Sequence, residues 1–340
     1  MNPWRDTVHD RAHRRGGLTL VELMVSLVLG LLLLLALMQV YLSFSRSGGA
    51  VQADSALMDD GRAVTESLSR SLRMARYWGC PGLQASTVTI HHQAGTDDLD
   101  RSPAVQGLSV KGVFGIEGGA SPDELHVRHA EDGGVAGMQT TLQADVTLDS
   151  ADWQHHPIQV PAGHGFQPGD VVSLNDCRQA DVLALSAVQA QQLYYQGCAA
   201  CARSYLQGAF VTRVRRTRFF VAQGGDGPSL FEQVNGGTPR RLARGVEDMQ
   251  ARYGLDTDGD GVVNRYVDAA AVDQLCVSEA NNRCWERVAT VRVALLLRTS
   301  ADGISQGAQT YRFDGQSRTA TDRRLRREFL TVVALRNHRK

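Results

Sequence analysis

Apolar residues run almost unbroken from Leu18 to Leu42, with Thr19, Glu22, Ser26 and Gln39 as the polar exceptions. At a rise of about 1.5 Å per residue, such a run crosses a hydrocarbon core of roughly 30 Å as a helix. Ser43 to Gly49 is expected to be a polar, flexible break. Helical periodicity then returns: Leu57, Val64, Leu68, Leu72 and Ala75 share one face, while Asp60, Arg62, Glu66, Arg70 and Arg73 occupy the other. Glu66 and Arg70 stand at the four-residue spacing that supports a helix. The pattern predicts a helix whose first half is apolar all round and whose second half packs on a sheet. Gly79-Cys80-Pro81-Gly82 is expected to end it.

Beyond that point the pattern changes to short alternating strands separated by Gly, Pro and Asp. The candidates are Thr87–His91, Glu124–His129, Thr141–Leu148, Asp170–Asn175, Val182–Leu185, Arg216–Val221, Leu230–Val234, Glu247–Tyr253, Arg287–Leu297 and Phe329–Leu335. Val291, Val293, Leu295 and Leu297 alternate along one face of the longest. No segment between strands reads as a crossover helix, so the sheet is expected to be mainly antiparallel and the fold class α+β. Gly95–Ser102 and Gly133–Gly137 read as loops. The domain organisation that follows is a leader at 1–17, a transmembrane helix at 18–42, an amphipathic half of the same helix at 43–79, and a β-rich globular domain at 80–340.

Charge changes this picture in one respect. Lys plus Arg and Asp plus Glu number 36 each, so no net field favours nucleic acid or an acidic partner. The local distribution is uneven, with Arg5, Arg11, Arg14 and Arg15 all preceding the apolar run. Positive charge stays cytoplasmic, so the rest of the chain is expected to be exported, into the periplasm of a Gram-negative cell. Six cysteines suit an oxidising compartment: Cys80, Cys177, Cys198, Cys201, Cys276 and Cys284. Many connectivities are open in principle. The short interval between Cys276 and Cys284 predicts one disulfide, Cys198 with Cys201 is the next pair, and Cys80 with Cys177 remains by elimination. Cys198-Ala-Ala-Cys201 has redox-motif spacing, but neither flank supplies the strand and helix that would tune a thiolate. No second Cys or His pair stands at zinc-finger spacing.

A carboxylate within a membrane span costs roughly 2.5 kcal/mol or more at mid-bilayer, so Glu22 requires a reason. Gly17-Leu18 followed by Thr19-Leu20-Val21-Glu22-Leu23-Met24 and the apolar helix resembles the class III signal of type IV prepilins and secretion pseudopilins. The resemblance implies cleavage by a prepilin peptidase between Gly17 and Leu18, N-methylation of Leu18, and pairing of Glu22 with a neighbouring subunit's terminal amine. Leu18 departs from the Phe usual in the family. Three further stretches resemble the PilW group of minor pilins: Met74-Ala75-Arg76-Tyr77-Trp78-Gly79-Cys80, Tyr253–Gly261, and the closing Phe329–Asn337. That resemblance implies the pilin architecture, a long amino-terminal helix laid on an antiparallel sheet. It also implies a subunit that primes or takes part in pilus assembly at or near the tip, and not an enzyme. The expected partners are prepilin peptidase, other minor pilins, the major pilin and the inner-membrane assembly platform. The protein is expected in the inner membrane as a single-pass chain, and then in the pilus on the cell surface. A minor pseudopilin of type II secretion shares every amino-terminal feature. From another class, a membrane-anchored periplasmic calcium-binding or redox protein is the rival.

The remaining motifs offer little chemistry. There is no Gly-x-Ser-x-Gly, His-Glu-x-x-His or Gly-x-x-x-x-Gly-Lys. Gly163–Gly169 reads as a turn, and the pairs His91-His92 and His155-His156 read as surface histidines, since adjacent strand residues point to opposite faces. Arg323, Arg324, Arg326 and Arg327 form a basic run flanked by Asp322 and Glu328. With no interleaved aromatics, it reads as a solvated turn or a subunit contact rather than a nucleic-acid site. No cofactor is required. One acidic loop fits most of a calcium site, with Asp256, Asp258, Asp260, the Val262 carbonyl and Asn264 at ligand positions and Gly261 at the sharp turn. Its twelfth position is Val267 rather than a bidentate Glu, so an acidic turn between strands is the competing reading.

Overall fold

The computed structural model describes residues 19–81, 83, 87–91, 112–131, 139–148, 156–195, 202–278, 284–305 and 307–338, apart from the side chains of 42–47. Gly17, Leu18, His92, His155, Cys198, Cys201 and the two expected loops at 95–102 and 133–137 lie outside the described residues. The chain divides into two units, Met1–Gln52 and Ala53–Lys340.

The first element is a helix, α1 (Leu20–Met74). It is continuous through Ser43–Gly49, where the sequence suggested a break. Once both flanks are helical, each added residue is fixed in exchange for a hydrogen bond. Gly48 and Gly49 cost only about 1 kcal/mol each against Ala, less than nucleating a second helix. The helix also stops earlier than Gly79. Arg76 turns to φ 64°, and its amide leaves the helix to donate to the Arg128 carbonyl at 3.1 Å.

The strands follow in two groups. The first comprises β1 (Val88–Ile90), β2 (Val113–Ile116), β3 (Glu124–Ala130), β4 (Gln139–Thr141), β5 (Val146–Thr147), β6 (Ile158–Gln159) and β7 (Val171–Asn175). It continues with β8 (Ala180–Gln189), β9 (Gln192–Tyr195), β10 (Ser204–Tyr205), β11 (Phe210–Gly224), β12 (Gly227–Val234) and β13 (Arg240–Arg244). The second group holds β14 (Val246–Leu255), β15 (Arg265–Val267), a helix α2 (Ala269–Ser278), β16 (Val288–Arg298), β17 (Thr310–Phe313), β18 (Gln316–Thr319) and β19 (Arg326–Ala334). The short helix α2 has no counterpart in the expected pattern.

Pairing is antiparallel throughout the described strands except for β1 with β8, which run parallel. β11 organises the larger sheet by changing partners along its length. Its first residues pair with β4 and β7, its middle with β3, and its last with β12. The smaller sheet has the order β15-β14-β16-β19. Its register stacks apolar rows on one face: Tyr253, Val291 and Val333; Ala251, Val293 and Thr331; Met249, Leu295 and Phe329.

The helix face expected to be buried is buried. Leu57, Val64, Leu68, Leu72 and Ala75 join these rows in one core, together with Leu125, Val127, Phe219 and Leu230 of the larger sheet. Each large side chain so buried contributes roughly 1.5–3 kcal/mol. Asp60, Arg62, Glu66, Arg70 and Arg73 are exposed. A second core, built on Leu174, Leu183, Leu193, Tyr195 and Val211, fills the far part of the larger sheet.

Helix and sheet approach closely at Gly61, where an added Cβ would stand 2.3 Å from the Phe329 ring. Gly61→Ala gains about 1 kcal/mol of helix propensity but overpacks this seam, at about 1–3 kcal/mol. The expected outcome in denaturant unfolding is a net loss of stability. The sign should invert in a Phe329→Ala background, where the added methyl has room; the same sign in both backgrounds would contradict the seam.

Candidate functional site

Thr19 is the first described residue, and its Oγ1 accepts a hydrogen bond from the Glu22 amide at 3.3 Å. This is half of a capping box, with Thr at the cap and Glu three residues on. The Ser26 hydroxyl donates to the Glu22 carbonyl at 2.6 Å. Glu22 itself is exposed, and among the described residues no side chain meets its carboxylate. Leu20–Tyr41, 22 residues that bury nothing within the chain, are long and apolar enough to cross a membrane. Two physical roles are open to Glu22 on this geometry. Its charge favours the positive end of the helix dipole, and it is also an unmet anion on an apolar span, awaiting a cation from another molecule.

The acidic loop joins β14 to β15 and is folded largely on its own side chains. Asp256 is buried, and its carboxylate accepts from the Gly259 amide at 2.6 Å and the Gly261 amide at 3.0 Å. Gly259 and Gly261 take φ of 81° and 87°, which places those amides around one carboxylate. Burial pushes Asp256 upward, but the two amides and His338 outweigh it and hold the carboxyl below its ordinary range. The Asn264 Oδ1 accepts from the Thr257 amide and hydroxyl, and its Nδ2 donates to Asp258 at 3.2 Å. The Val262 amide donates to Asp260 at 2.7 Å. One carboxylate oxygen from each of Asp256, Asp258 and Asp260 lies within 4.8 Å of the others. Three of the expected ligand side chains therefore converge on one loop. Position twelve, Val267, belongs to β15 and offers no side-chain oxygen.

Two of the three expected disulfides are formed: Cys80–Cys177, with Cα atoms 5.3 Å apart, and Cys276–Cys284, with Cα atoms 5.1 Å apart. The first closes a separation of 97 residues and the second one of 8. Chain-entropy arguments give roughly 4–5 and 2–3 kcal/mol respectively. Cys198 and Cys201 lie outside the described residues.

Two expectations need correction. The basic run is not simply a solvated turn. Arg326 is buried and forks onto Glu247 at 2.6 and 2.9 Å, with Asp322 as a second carboxylate. Arg326 and, behind it, Arg324 hold Asp322 well below the usual carboxylate range, because their donated hydrogen bonds outweigh its burial. Arg327 pairs with Asp54 of α1 at 2.6 and 2.8 Å. Arg324, Arg326 and Arg327 are thus engaged by carboxylates within the fold, while Arg323 is exposed. Nor is His91 a surface residue, since it is buried against Asp181 at 2.5 Å. His156 is exposed, and Gly163–Gly169 forms the turn the sequence indicated.

The sequence stretches 74–80, 253–261 and 329–337 come together at one place. The Asn337 side chain donates to the Ala75 carbonyl at 3.0 Å. Arg76 reaches His338 at 3.1 Å, and His338 reaches Asp256 at 3.4 Å. Arg76 and Asn337 lie in stretches that resemble PilW, but no local pattern shows what they or His338 contact, because their partners are 262 and 82 residues away in the chain.

Comparison with known proteins accords with this arrangement. Residues 218–337, which contain β14, the acidic loop, β16 and β19, match the family of type IV pilus-assembly protein W. Residues 12–38 match the prokaryotic N-terminal methylation motif. No curated protein matches the chain at a significant level. The matched family is one of structural pilus proteins. With an apolar helix of membrane length leading into a largely antiparallel β-domain, the chain is similar to the type IV pilus-assembly protein W family over residues 218–337.

Proposed function

We propose that this chain is a minor pilin that primes or takes part in type IV pilus assembly, at or near the tip, and that it has no catalytic role. In this reading prepilin peptidase cuts the Gly17–Leu18 bond and Leu18 is methylated. The helix lies in the inner membrane with its amino end cytoplasmic and the β-domain periplasmic until the subunit is drawn into a filament. Other minor pilins, the major pilin and the assembly platform are its partners. One observation carries the reading: Glu22 stands exposed on an apolar helix of membrane length, with no cation among the described residues to meet it. The free amine of a neighbouring subunit supplies that cation, and the pair removes the cost of a lone carboxylate in lipid. A minor pseudopilin of type II secretion would use the same device. Loss of pilus-driven motility on deletion favours the pilus, and loss of protein export favours secretion. A membrane-anchored calcium-binding or redox protein would be missing from sheared filaments.

Processing is tested by amino-terminal mass spectrometry of filament-associated protein. The expected mature chain begins at methylated Leu18, and a bulky residue at Gly17 should leave only the long form. Met1 at the start of the filament-associated chain would contradict the reading.

Glu22→Gln separates the two roles of the carboxylate. Glutamine serves the capping box as well as glutamate, but it carries no charge. Insertion and cleavage should be normal, while recruitment into pili falls by about tenfold or more, the factor that about 1.4 kcal/mol carries. Normal recruitment would assign Glu22 to the helix cap.

The acidic loop is proposed as a weak calcium site, with Asp256, Asp258, Asp260, the Val262 carbonyl and Asn264 as ligands. The support is the convergence of three carboxylates within 4.8 Å. Lacking a bidentate twelfth ligand, its Kd is expected on the order of 0.1–1 mM. At several millimolar calcium the melting temperature should rise by about 2–4 °C, and Asp258→Ala should abolish the rise. A melting temperature indifferent to calcium and chelator in both proteins leaves a self-satisfied acidic turn.

A further inference from the structure

The end of α1 is held in an unusual way. A helix terminus leaves several carbonyls without partners, and glycine in a left-handed conformation commonly closes the last turn. Here the left-handed position is occupied by Arg76 at φ 64°, a conformation disfavoured for a residue with a Cβ. Its surroundings compensate. The Ala75 amide still donates to Leu72 at 3.1 Å, the Tyr77 amide to Met74 at 3.0 Å, and the Arg76 amide crosses to Arg128 on β3.

The guanidinium is buried and donates to the carbonyls of Trp285 and Val288 and to Nδ1 of His338. Burial lowers the Arg76 pKa to about 10 against the opposing charge of Glu286, so the group remains a cation at neutral pH. The Trp285 carbonyl belongs to the turn beside the Cys276–Cys284 disulfide, which fixes the acceptor end of this contact.

The last described residues complete the cage. The Leu335 amide donates to Ala289 at 2.9 Å, and the His338 amide closes a turn onto Leu335 at 3.2 Å. That turn aims two side chains at the helix end. Asn337 donates to the Ala75 carbonyl at 3.0 Å, meeting one of the unpaired acceptors. His338 accepts from Arg76 at Nδ1, which fixes the neutral tautomer with hydrogen on Nε2, and that hydrogen points at Asp256 at 3.4 Å. An arginine has no acceptor to offer, so only this orientation of His338 satisfies both neighbours.

We propose that residues 335–338 are a latch: the carboxy-terminal turn clasps the end of α1 through Asn337 and His338, and Asp256 of the acidic loop orients the histidine. The order of that loop and the anchoring of the helix end are thereby coupled, although 180 residues separate Arg76 from Asp256 in the chain. Packing of Leu57, Val64, Leu68 and Leu72 fixes where the helix lies on the sheet. The latch fixes where it ends. This inference does not depend on whether calcium binds or on which filament the subunit enters.

Hydrogen exchange of the full chain in detergent micelles, read by mass spectrometry, tests it. In Asn337→Ala/His338→Ala, amides of Ala75, Arg76 and Tyr77 should exchange about tenfold faster, the factor that about 1.4 kcal/mol carries. Peptides over the acidic loop should also exchange faster, while those within β8 and β11 keep their rates. Glutamine presents both an acceptor and a donor, so His338→Gln should retain protection at 75–77. Unchanged exchange at 75–77 in the double variant overturns the latch. An acceleration spread evenly over α1 and every strand overturns it too, since the chain end would then add only to global stability.

Discussion

The contact on which the β-domain depends is the seam between the second half of α1 and the inner face of β14, β16 and β19. Four large apolar residues of the helix enter rows set by strand register, and every row pairs a residue from each strand. Because strand residues alternate between faces, a slip of one residue in β19 would remove Phe329 and Val333 from the core together. Gly61 allows the approach, and charge fixes the rim: Arg327 to Asp54, and Arg326 to Glu247 and Asp322. The outer face of the same sheet is covered in part by the β17–β18 hairpin, whose Phe313 rests with Ala294 and Leu296.

The same helix also has a segment that buries nothing within its own chain. Between Leu20 and Tyr41 every large side chain is more than half exposed, which is stable only in lipid or among other helices. Glu22 sharpens the requirement, because lipid cannot satisfy its carboxylate and no side chain among the described residues does. Physical chemistry therefore asks for a partner with a cation near the membrane surface. Residues 12–38, which include that carboxylate, match the prokaryotic N-terminal methylation motif.

Much of this was legible in the sequence. The buried stripe Leu57, Val64, Leu68, Leu72 and Ala75 repeats with helical period, and the alternation through Val291–Leu297 marks the central strand of its sheet. Both signals are local, so they survive without knowledge of the fold. What escaped notice was non-local or inconspicuous. The strands Val113–Ile116 and Gln192–Tyr195 are too short to show alternation. Arg326 looked like surface charge because Glu247, which neutralises it, is 79 residues away. Nothing near His91 in sequence reveals Asp181, the carboxylate against which its side chain is buried. Ser43–Gly49 carries the composition of a break, yet flanking helix overrides two glycines. Arg76, Asn337 and His338 form a site only once the chain has closed.

The most direct measurement concerns the cation that Glu22 meets. Purified filaments containing the subunit can be treated with a zero-length carbodiimide, which joins a carboxylate to an amine only when the two are in contact. The account predicts a cross-linked peptide uniting Glu22 with the amino-terminal residue of a different subunit, absent from detergent-dispersed protein. Glu22 recovered without a link to another subunit's amino terminus, in filaments whose other contacts do couple, would contradict it.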